Sequence, residues 1–245
     1  MAESVRDRDL RGLLDLVEAA RSTDVAEGLP VAVLERAQEL VACDIVSFVE
    51  FDSAHEIDYL DQSLPSNEDD TGESAFWRHY WDCLPCSYPD RSGDDRSVTM
   101  VSDFYTQQEW HNTGMYAECV GPYGVEREAM VCISAPRGRS RRMLFFRGPG
   151  ADFDGRDRLL LSLLRPHLDE LYQELERRRR PVPNLTARQW ELLQLVARGR
   201  TNAEIARELV VSKDTVRTHL ENIFTRLGVT NRVAAVAYAF PTPPY

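Results

Sequence analysis

Residues 185–229 read "LTARQWELLQLVARGRTNAEIARELVVSKDTVRTHLENIFTRLGV". Two local devices repeat within this stretch. Thr186 is followed three positions later by Gln189, and Thr201 by Glu204. A hydroxyl at the N-cap and a Gln or Glu at N3 satisfy two orphan backbone donors reciprocally, so each pair marks a helix start. Apolar residues Leu192, Leu193 and Val196 supply the inner side of the first helix, and Gly199 suits its C-terminal stop. Small or apolar Ala203, Ala206 and Leu209 let the second helix approach closely. "VVS" is the turn, Ser212 caps the third helix, and Gly228 ends it. That helix carries Val216, Leu220, Ile223, Phe224 and Leu227 on one face. "RVAAVAYAF" (232–240) reads as a fourth helix. Two helices joined by a turn of three or four residues predict a helix-turn-helix.

Charge separates this segment from the rest. The 245-residue chain has a formal net charge of −11. Residues 181–245 carry eight basic and five acidic side chains, a net +3. Residues 1–180 hold 21 arginines against 35 carboxylates, a net −14. An acidic body joined to a basic tail nominates the tail as a polyanion binder. The only lysine of the chain, Lys213, lies in that tail, in the first turn of its third helix. A cation there opposes the helix dipole, so helix stability does not account for it; the two readings are a phosphate contact, which is the one expected, and a solvated surface lysine.

The residues of 185–239 resemble the DNA-binding domain of LuxR-type regulators. The features that carry the resemblance are Leu185-Thr186, Arg188, Gly199, Thr201-Asn202, Glu204-Ile205-Ala206, Leu209, Ser212, Thr215-Val216, His219, Asn222-Ile223, Leu227-Gly228-Val229 and Asn231-Arg232. They span about a quarter of the chain. Gln189 stands where the family usually has glutamate, and Arg226 where lysine is frequent. The resemblance implies a four-helix domain whose third helix enters the major groove. It also implies dimers through the fourth helix, with Val233, Val236 and Ala237 as contacts.

The outward residues of the third helix agree. Arg217 can pair bidentately with guanine O6 and N7, and Thr218 can touch a thymine methyl or a base edge. Glu221 has two readings: it accepts from cytosine N4, or it is solvated beside the groove. Thr186, Thr201, Asn202, Lys213 and Thr215 lie at or next to helix starts, where short hydroxyls and free N–H groups suit phosphate oxygens. Capping alone is the other reading of Thr186 and Thr201.

Residues 1–180 read as an α+β body. Leu10, Leu13, Leu14 and Val17 predict a first amphipathic helix. A second starts at Pro30, with Val33, Leu34, Ala37, Leu40 and Val41 inward. Residues 44–52 and 56–64 predict a hairpin. Residues 65–74 are a polar loop, 75–84 an aromatic-rich helix, 97–104 a strand, and 107–118 a helix. Residues 128–136 and 141–148 predict two further strands. The layout is an antiparallel sheet with flanking helices. It is similar to GAF or PAS sensor domains and to the ligand domain of autoinducer-binding regulators. A long helix follows over 154–180, its leucines 161, 164, 168, 171 and 175 forming a short seam that packs on its own sheet or on a second copy. Pro166 predicts a kink or restart. The arginine- and proline-rich 176–184 predicts the domain boundary at 180, giving domains 1–180 and 181–245.

Phe76, Trp77, Tyr80, Trp81 and Tyr88 either line a ligand pocket or form plain core. Cys83 and Cys86 form a C-x-x-C, which reads as ordinary buried thiols or as the start of a redox or metal site. A second cysteine pair for zinc is not spaced in the sequence, so neither a metal nor a cofactor is expected. The chain does not resemble a phosphoacceptor receiver, whose usual pattern has an acidic pair after a first strand and a later lysine: here the first segment reads as a helix and no lysine precedes Lys213. No catalytic arrangement stands out, and an enzyme is not expected. No apolar run approaches the ~18 residues of a membrane span, and the N-terminal residues lack a secretion signal, so a cytoplasmic protein is expected. The partners nominated are double-stranded DNA, a second copy of the chain and a small-molecule ligand. A contact with RNA polymerase follows from transcriptional control, and no membrane partner is expected. The competing reading is a ligand- or redox-sensing protein acting mainly through protein–protein contacts.

Overall fold

In the computed structural model the described residues are 6–21, 27–65, 73–179 and 185–240. Most of the expected loop at 65–74 and the end of the arginine-rich segment, 180–184, lie outside them. The chain divides into two compact units, Met1–Leu175 and Glu176–Tyr245.

The first unit is built on a five-stranded antiparallel sheet in the order β2-β1-β5-β4-β3. The strands are β1 (Ile45–Asp52), β2 (Ile57–Leu64), β3 (Thr99–Met100), β4 (Arg127–Ile133) and β5 (Ser140–Arg147). β1 and β2 form the expected hairpin, with a register shift between Glu50 and Phe51. Successive side chains of a strand point to opposite faces, and both faces of this sheet are covered. On one face Val46, Phe48, Ala129, Val131, Ile133, Met143 and Phe145 are buried. They join side chains of three helices, α1 (Asp7–Arg21), α2 (Val31–Val41) and α6 (Gly155–Arg179), in the main core. All five inward residues expected for α2 are buried.

Two expectations fail here. In α1 Leu13 and Leu16 are buried, whereas Leu10 and Leu14 are 46% and 64% exposed. The buried Asp9 receives hydrogen bonds from Arg156 of α6, and this pair turns residues 9, 13 and 16 inward. The second failure is at Pro166, where α6 runs unbroken. Proline inside a helix costs ~3 kcal/mol. Leu160, Leu161 and Leu164 before it and Leu168, Tyr172 and Leu175 after it are all buried, and that burial offsets the cost. Leu161, Leu164, Leu168 and Leu175 of the seam therefore pack within their own unit, with Leu171 partly buried against the same core.

The other face of the sheet carries Phe51, Arg142 and Glu128. It lies under α3 (Glu73–Tyr80) and α4 (Leu84–Ser92). Phe51, Trp77, Tyr80, Cys83, Cys86, Val101, Trp110 and Met115 form a second apolar cluster. The strand expected over 97–104 shrinks to the two residues of β3 and passes into a short 3-10 turn. The helix expected over 107–118 is broken into α5 (Gln107–His111) and a π-helical segment at Met115–Val120. Among the described residues no helix is long and apolar enough to cross a membrane.

The second unit contains α7 (Ala187–Ala197), α8 (Asn202–Glu208), α9 (Lys213–Leu227) and α10 (Arg232–Ala239). Its core joins Leu192, Leu193 and Val196 of α7 to Ile205 and Ala206 of α8 and to Val216, Leu220, Ile223 and Leu227 of α9. Gly199 and Gly228 adopt positive φ, +76° and +65°, in the helix-ending positions expected of them.

Candidate nucleic-acid interface

The helix starts in the second unit are fixed by the side chains that the spacing predicts. Gln189 N–H donates to Thr186 Oγ1 at 3.3 Å, and Thr186 N–H donates to Gln189 Oε1 at 3.0 Å. Glu204 N–H donates to Thr201 Oγ1 at 3.3 Å, and Thr201 N–H donates to Glu204 Oε2 at 2.7 Å. These bonds from the Thr201 backbone and hydroxyl hold the Glu204 carboxyl below the usual range. Ser212 Oγ accepts from Thr215 N–H at 3.0 Å, and Asn231 Oδ1 accepts from Ala234 N–H at 2.8 Å. Each cap replaces a bond that the first helical turn otherwise lacks.

With Val216, Leu220, Ile223 and Leu227 turned inward, α9 presents Lys213, Asp214, Arg217, Thr218, Glu221 and Thr225 to solvent. Arg217 Nε and Glu221 Oε1 lie 3.1 Å apart, one helical turn along, with their side chains 73% and 61% exposed. The two form an exposed i,i+4 ion pair. Thr218 Oγ1 donates to Asp214 O at 3.0 Å. Thr186 and Thr201 are exposed at the starts of α7 and α8, with Asn202 half-buried. Thr215 is half-buried, and its hydroxyl lies 2.8 Å from that of Ser212. On α10, Val233 is 73% exposed and Ala237 is exposed, whereas Val236 packs partly against its own domain.

Three arginine contacts were not foreseen from the sequence. Arg188 Nη2 donates to Leu209 O at 2.6 Å, fastening α7 to the helix-turn-helix turn. Arg226 Nη1 donates to Gln189 Oε1 at 3.2 Å, tying α9 to α7. Arg232 Nη2 donates to Arg200 O at 2.8 Å, tying α10 to the loop before α8. They bridge 21 to 37 residues, beyond any helical repeat. The only sequence signal was an arginine near the start or end of each helix.

In the first unit the five aromatics named for a pocket separate. Trp77 and Tyr80 are buried and meet Phe51 edge-on, with ring centroids 5.5 and 5.6 Å away. Phe76 joins them half-buried. Trp81 is 39% exposed. Tyr88 packs on Phe104. A charged network runs beneath the cluster. Arg142, 2% exposed, donates from Nη2 to Tyr80 Oη at 2.6 Å and to Asp90 Oδ2 at 3.4 Å, and from Nη1 to the Cys86 carbonyl. Tyr80 in turn donates to Asp90. Glu128 is 7% exposed on the same face. Burial pushes its carboxyl up to about 7, and Arg142 only partly opposes this. A crevice of about 500 Å³ lies to one side, lined by Tyr105, Thr106, Gln107, Trp110, Arg127 and Asp152 among others. Among the described residues no group of His, Cys, Asp or Glu is placed to hold a metal ion.

Four capped helices, with the third exposing a polar face, define a helix-turn-helix domain. Residues 183–239 match the family GerE, bacterial regulatory proteins, luxR family. This segment is a LuxR-family domain. It is similar to part of the probable transcriptional regulatory protein SgaR of Hyphomicrobium methylovorum, 49% identical over 57 residues. It is also similar to the transcriptional regulatory protein LiaR of Bacillus subtilis (strain 168), 46% identical over 59 residues. These matches cover 23% and 24% of the chain, and they span 27% and 28% of the two relatives. Among solved structures, Escherichia coli SdiA covers 95% of the chain and 97% of its own, with a TM-score of 0.51 and 18% identity. SdiA in complex with octanoyl-rac-glycerol covers 98% and 97%, with a TM-score of 0.54 and 18% identity. At that identity the likeness is one of fold: an α+β unit followed by the helical domain.

Proposed function

We propose that the protein is a sequence-specific DNA-binding regulator of transcription that acts as a dimer, with residues 1–180 as its signal-sensing domain and 181–245 as its reader. The observation that carries this reading is the outer face of α9. It is polar and exposed, it stands on a helix capped by Ser212, and it follows the turn from α8. A helix of this kind fits the major groove. Arg217 reads guanine through O6 and N7, and Thr218 reaches a neighbouring thymine methyl or base edge. Glu221 pairs with that guanidinium in the free protein and accepts from a cytosine N4 where the site offers one. Thr186, Thr201, Asn202, Lys213 and Thr215 position the domain on phosphates at the ends of α7, α8 and α9. Val233 and Ala237, with Val236 at their edge, meet a second copy through α10.

The sensing role rests on the fold shared with SdiA, for which a complex with octanoyl-rac-glycerol is known. A small-molecule signal for this chain is the corresponding proposal. The matching segments of SgaR and LiaR support transcriptional control, and contact with RNA polymerase in the cytoplasm follows from that role.

The test is selection of bound sites from a random DNA library with the full-length protein, followed by titration of the selected site. Arg217→Ala is expected to weaken that site by about 1–3 kcal/mol and to relax preference at one base pair. Lys213→Ala is expected to weaken all sequences alike and to reduce the salt slope by about one. Wild-type binding by both variants would remove the proposed docking of α9. Absence of any selected sequence would favour a protein that works through protein contacts.

A further inference from the structure

The C-x-x-C of the first unit has no part in the DNA-reading proposal. Cys83 occupies the N-cap position of α4, and Cys86 lies in its first turn. Their sulfurs are 2.7 Å apart and share a hydrogen bond. Both belong to the aromatic cluster, at 2% and 8% exposure. All five cysteines are free thiols. Cys119 is half-buried against the same cluster, and Cys43 belongs to the core on the opposite face of the sheet. A disulfide needs its sulfurs ~2.05 Å apart. The pair therefore closes with less than an ångström of sulfur movement.

We propose that Cys83 and Cys86 are a reversible dithiol–disulfide site oxidised by hydrogen peroxide. The N-terminal end of a helix favours negative charge, and cysteines in C-x-x-C turns at such ends are the reactive kind. Cys83, at the N-cap, is the attacking sulfur, and its thiol proton leaves with the departing hydroxide as the first water. Its sulfur takes one peroxide oxygen, the O–O bond breaks, and hydroxide leaves, so that Cys83 becomes a sulfenic acid. The hydrogen bond with Cys83 and burial both raise the Cys86 thiol well above its ordinary range, so it keeps its proton until this second step. The Cys86 sulfur then attacks Cys83, the S–O bond breaks, and the thiol proton leaves with hydroxide as water. Two thiols and one peroxide give one disulfide and two waters, and the sulfur pair loses two electrons. Burial of both sulfurs selects a small neutral oxidant and shields the pair from bulky disulfides. The site is also wired into the unit, because the Cys86 carbonyl accepts from Arg142 Nη1, whose other nitrogen holds Tyr80 and Asp90. Oxidation locks the first turn of α4 beneath that network.

The experiment treats the native full-length protein with hydrogen peroxide, quenches, unfolds, alkylates, and reads intact mass and peptide maps. Two of the five thiols are expected to resist alkylation, with a mass lower by two hydrogens and a cross-link mapped between Cys83 and Cys86. A dithiol reductant restores all five. Cys83→Ser and Cys86→Ser each abolish the loss, whereas the combined Cys43→Ser, Cys119→Ser, Cys132→Ser variant oxidises like wild type. Because the wild-type map locates the bond directly, poor folding of a single variant leaves the test intact. Loss of two thiols in Cys83→Ser, gain of oxygen mass in place of hydrogen loss, or five surviving thiols where the urea-unfolded chain oxidises would each overturn the proposal.

Discussion

Replacing Glu128 by glutamine should stabilise the first unit, and the gain should grow with pH. Glu128 is 7% exposed on the sheet face that carries Arg142, and burial raises its carboxyl from 4.5 to about 7. A raised folded value means that the native state binds the proton more tightly than the unfolded chain. Stability from this group is thus full below about pH 4.5, falls as the pH rises to about 7, and is flat beyond. At ~1.4 kcal/mol per tenfold change in proton affinity, the folded protein loses ~3 kcal/mol across that window. Glutamine keeps the shape and cannot ionise. Urea unfolding followed by tryptophan fluorescence reports this unit well, because Trp77, Trp81 and Trp110 lie within it and only Trp190 lies outside. Between pH 5 and pH 8 the advantage of Glu128→Gln over wild type should widen by about 2–3 kcal/mol. Parallel pH profiles for the two proteins would show that Arg142, rather than a bound proton, neutralises Glu128, and the burial argument would be wrong.

Two further outcomes follow from the same geometry. Glu50 is buried between Arg139 and Arg141, at 2.8 Å from each, so Glu50→Gln should cost about 3–5 kcal/mol of urea stability by stranding a buried guanidinium; a loss under ~1 kcal/mol would show that water solvates the pair. Gln189→Ala removes the return bond of the α7 capping box and the Arg226 contact, and should lower the stability of the second unit by ~1 kcal/mol, read from Trp190 where it packs on Phe240; an unchanged midpoint would mean that the box is ornamental.

What could be read from the sequence was local. The five buried residues of α2, the inner face of α9, both capping boxes and the two glycine stops depend on neighbours within four residues, and spacing shows these directly. The hairpin and the two later strands were legible for the same reason. The hidden features join distant positions. Arg141 and Arg142 sit side by side in β5, where composition suggests an exposed strand, yet they are 5% and 2% exposed. The pleat sends them to opposite faces, and each finds acid there: Arg141 meets Glu50, 91 positions away, and Arg142 meets Asp90, 52 away. The rotation of α1 is set by a partner 147 positions distant. On α9, the outward placement of Arg217, Thr218 and Glu221 was legible from its apolar pattern. Their mutual pairing, and the arginines that brace the domain from within, were not.

The bracing also changes how the charge of the second unit is understood. A net +3 suggests a diffuse electrostatic footprint, but α9 does not supply it. Along its solvent face Lys213 and Arg217 are matched by Asp214 and Glu221. Arg188, Arg226 and Arg232 are committed to Leu209 O, Gln189 and Arg200 O inside the domain. Affinity that depended on bulk charge would fall steeply with salt and would be indifferent to sequence. Under the proposed function, a face of α9 close to neutrality would add little non-specific attraction and would rely on base edges for its share of the binding. The Arg217–Glu221 pair suits this role, because an exposed i,i+4 ion pair is worth only ~0.2–0.5 kcal/mol. That is below thermal energy, so the pair only biases the guanidinium in the free protein and leaves it available to a bidentate guanine worth ~1–3 kcal/mol. In the proposed docking, Lys213, clear of that pair at the first turn of α9, would be the phosphate anchor that sets where along the groove Arg217 reads.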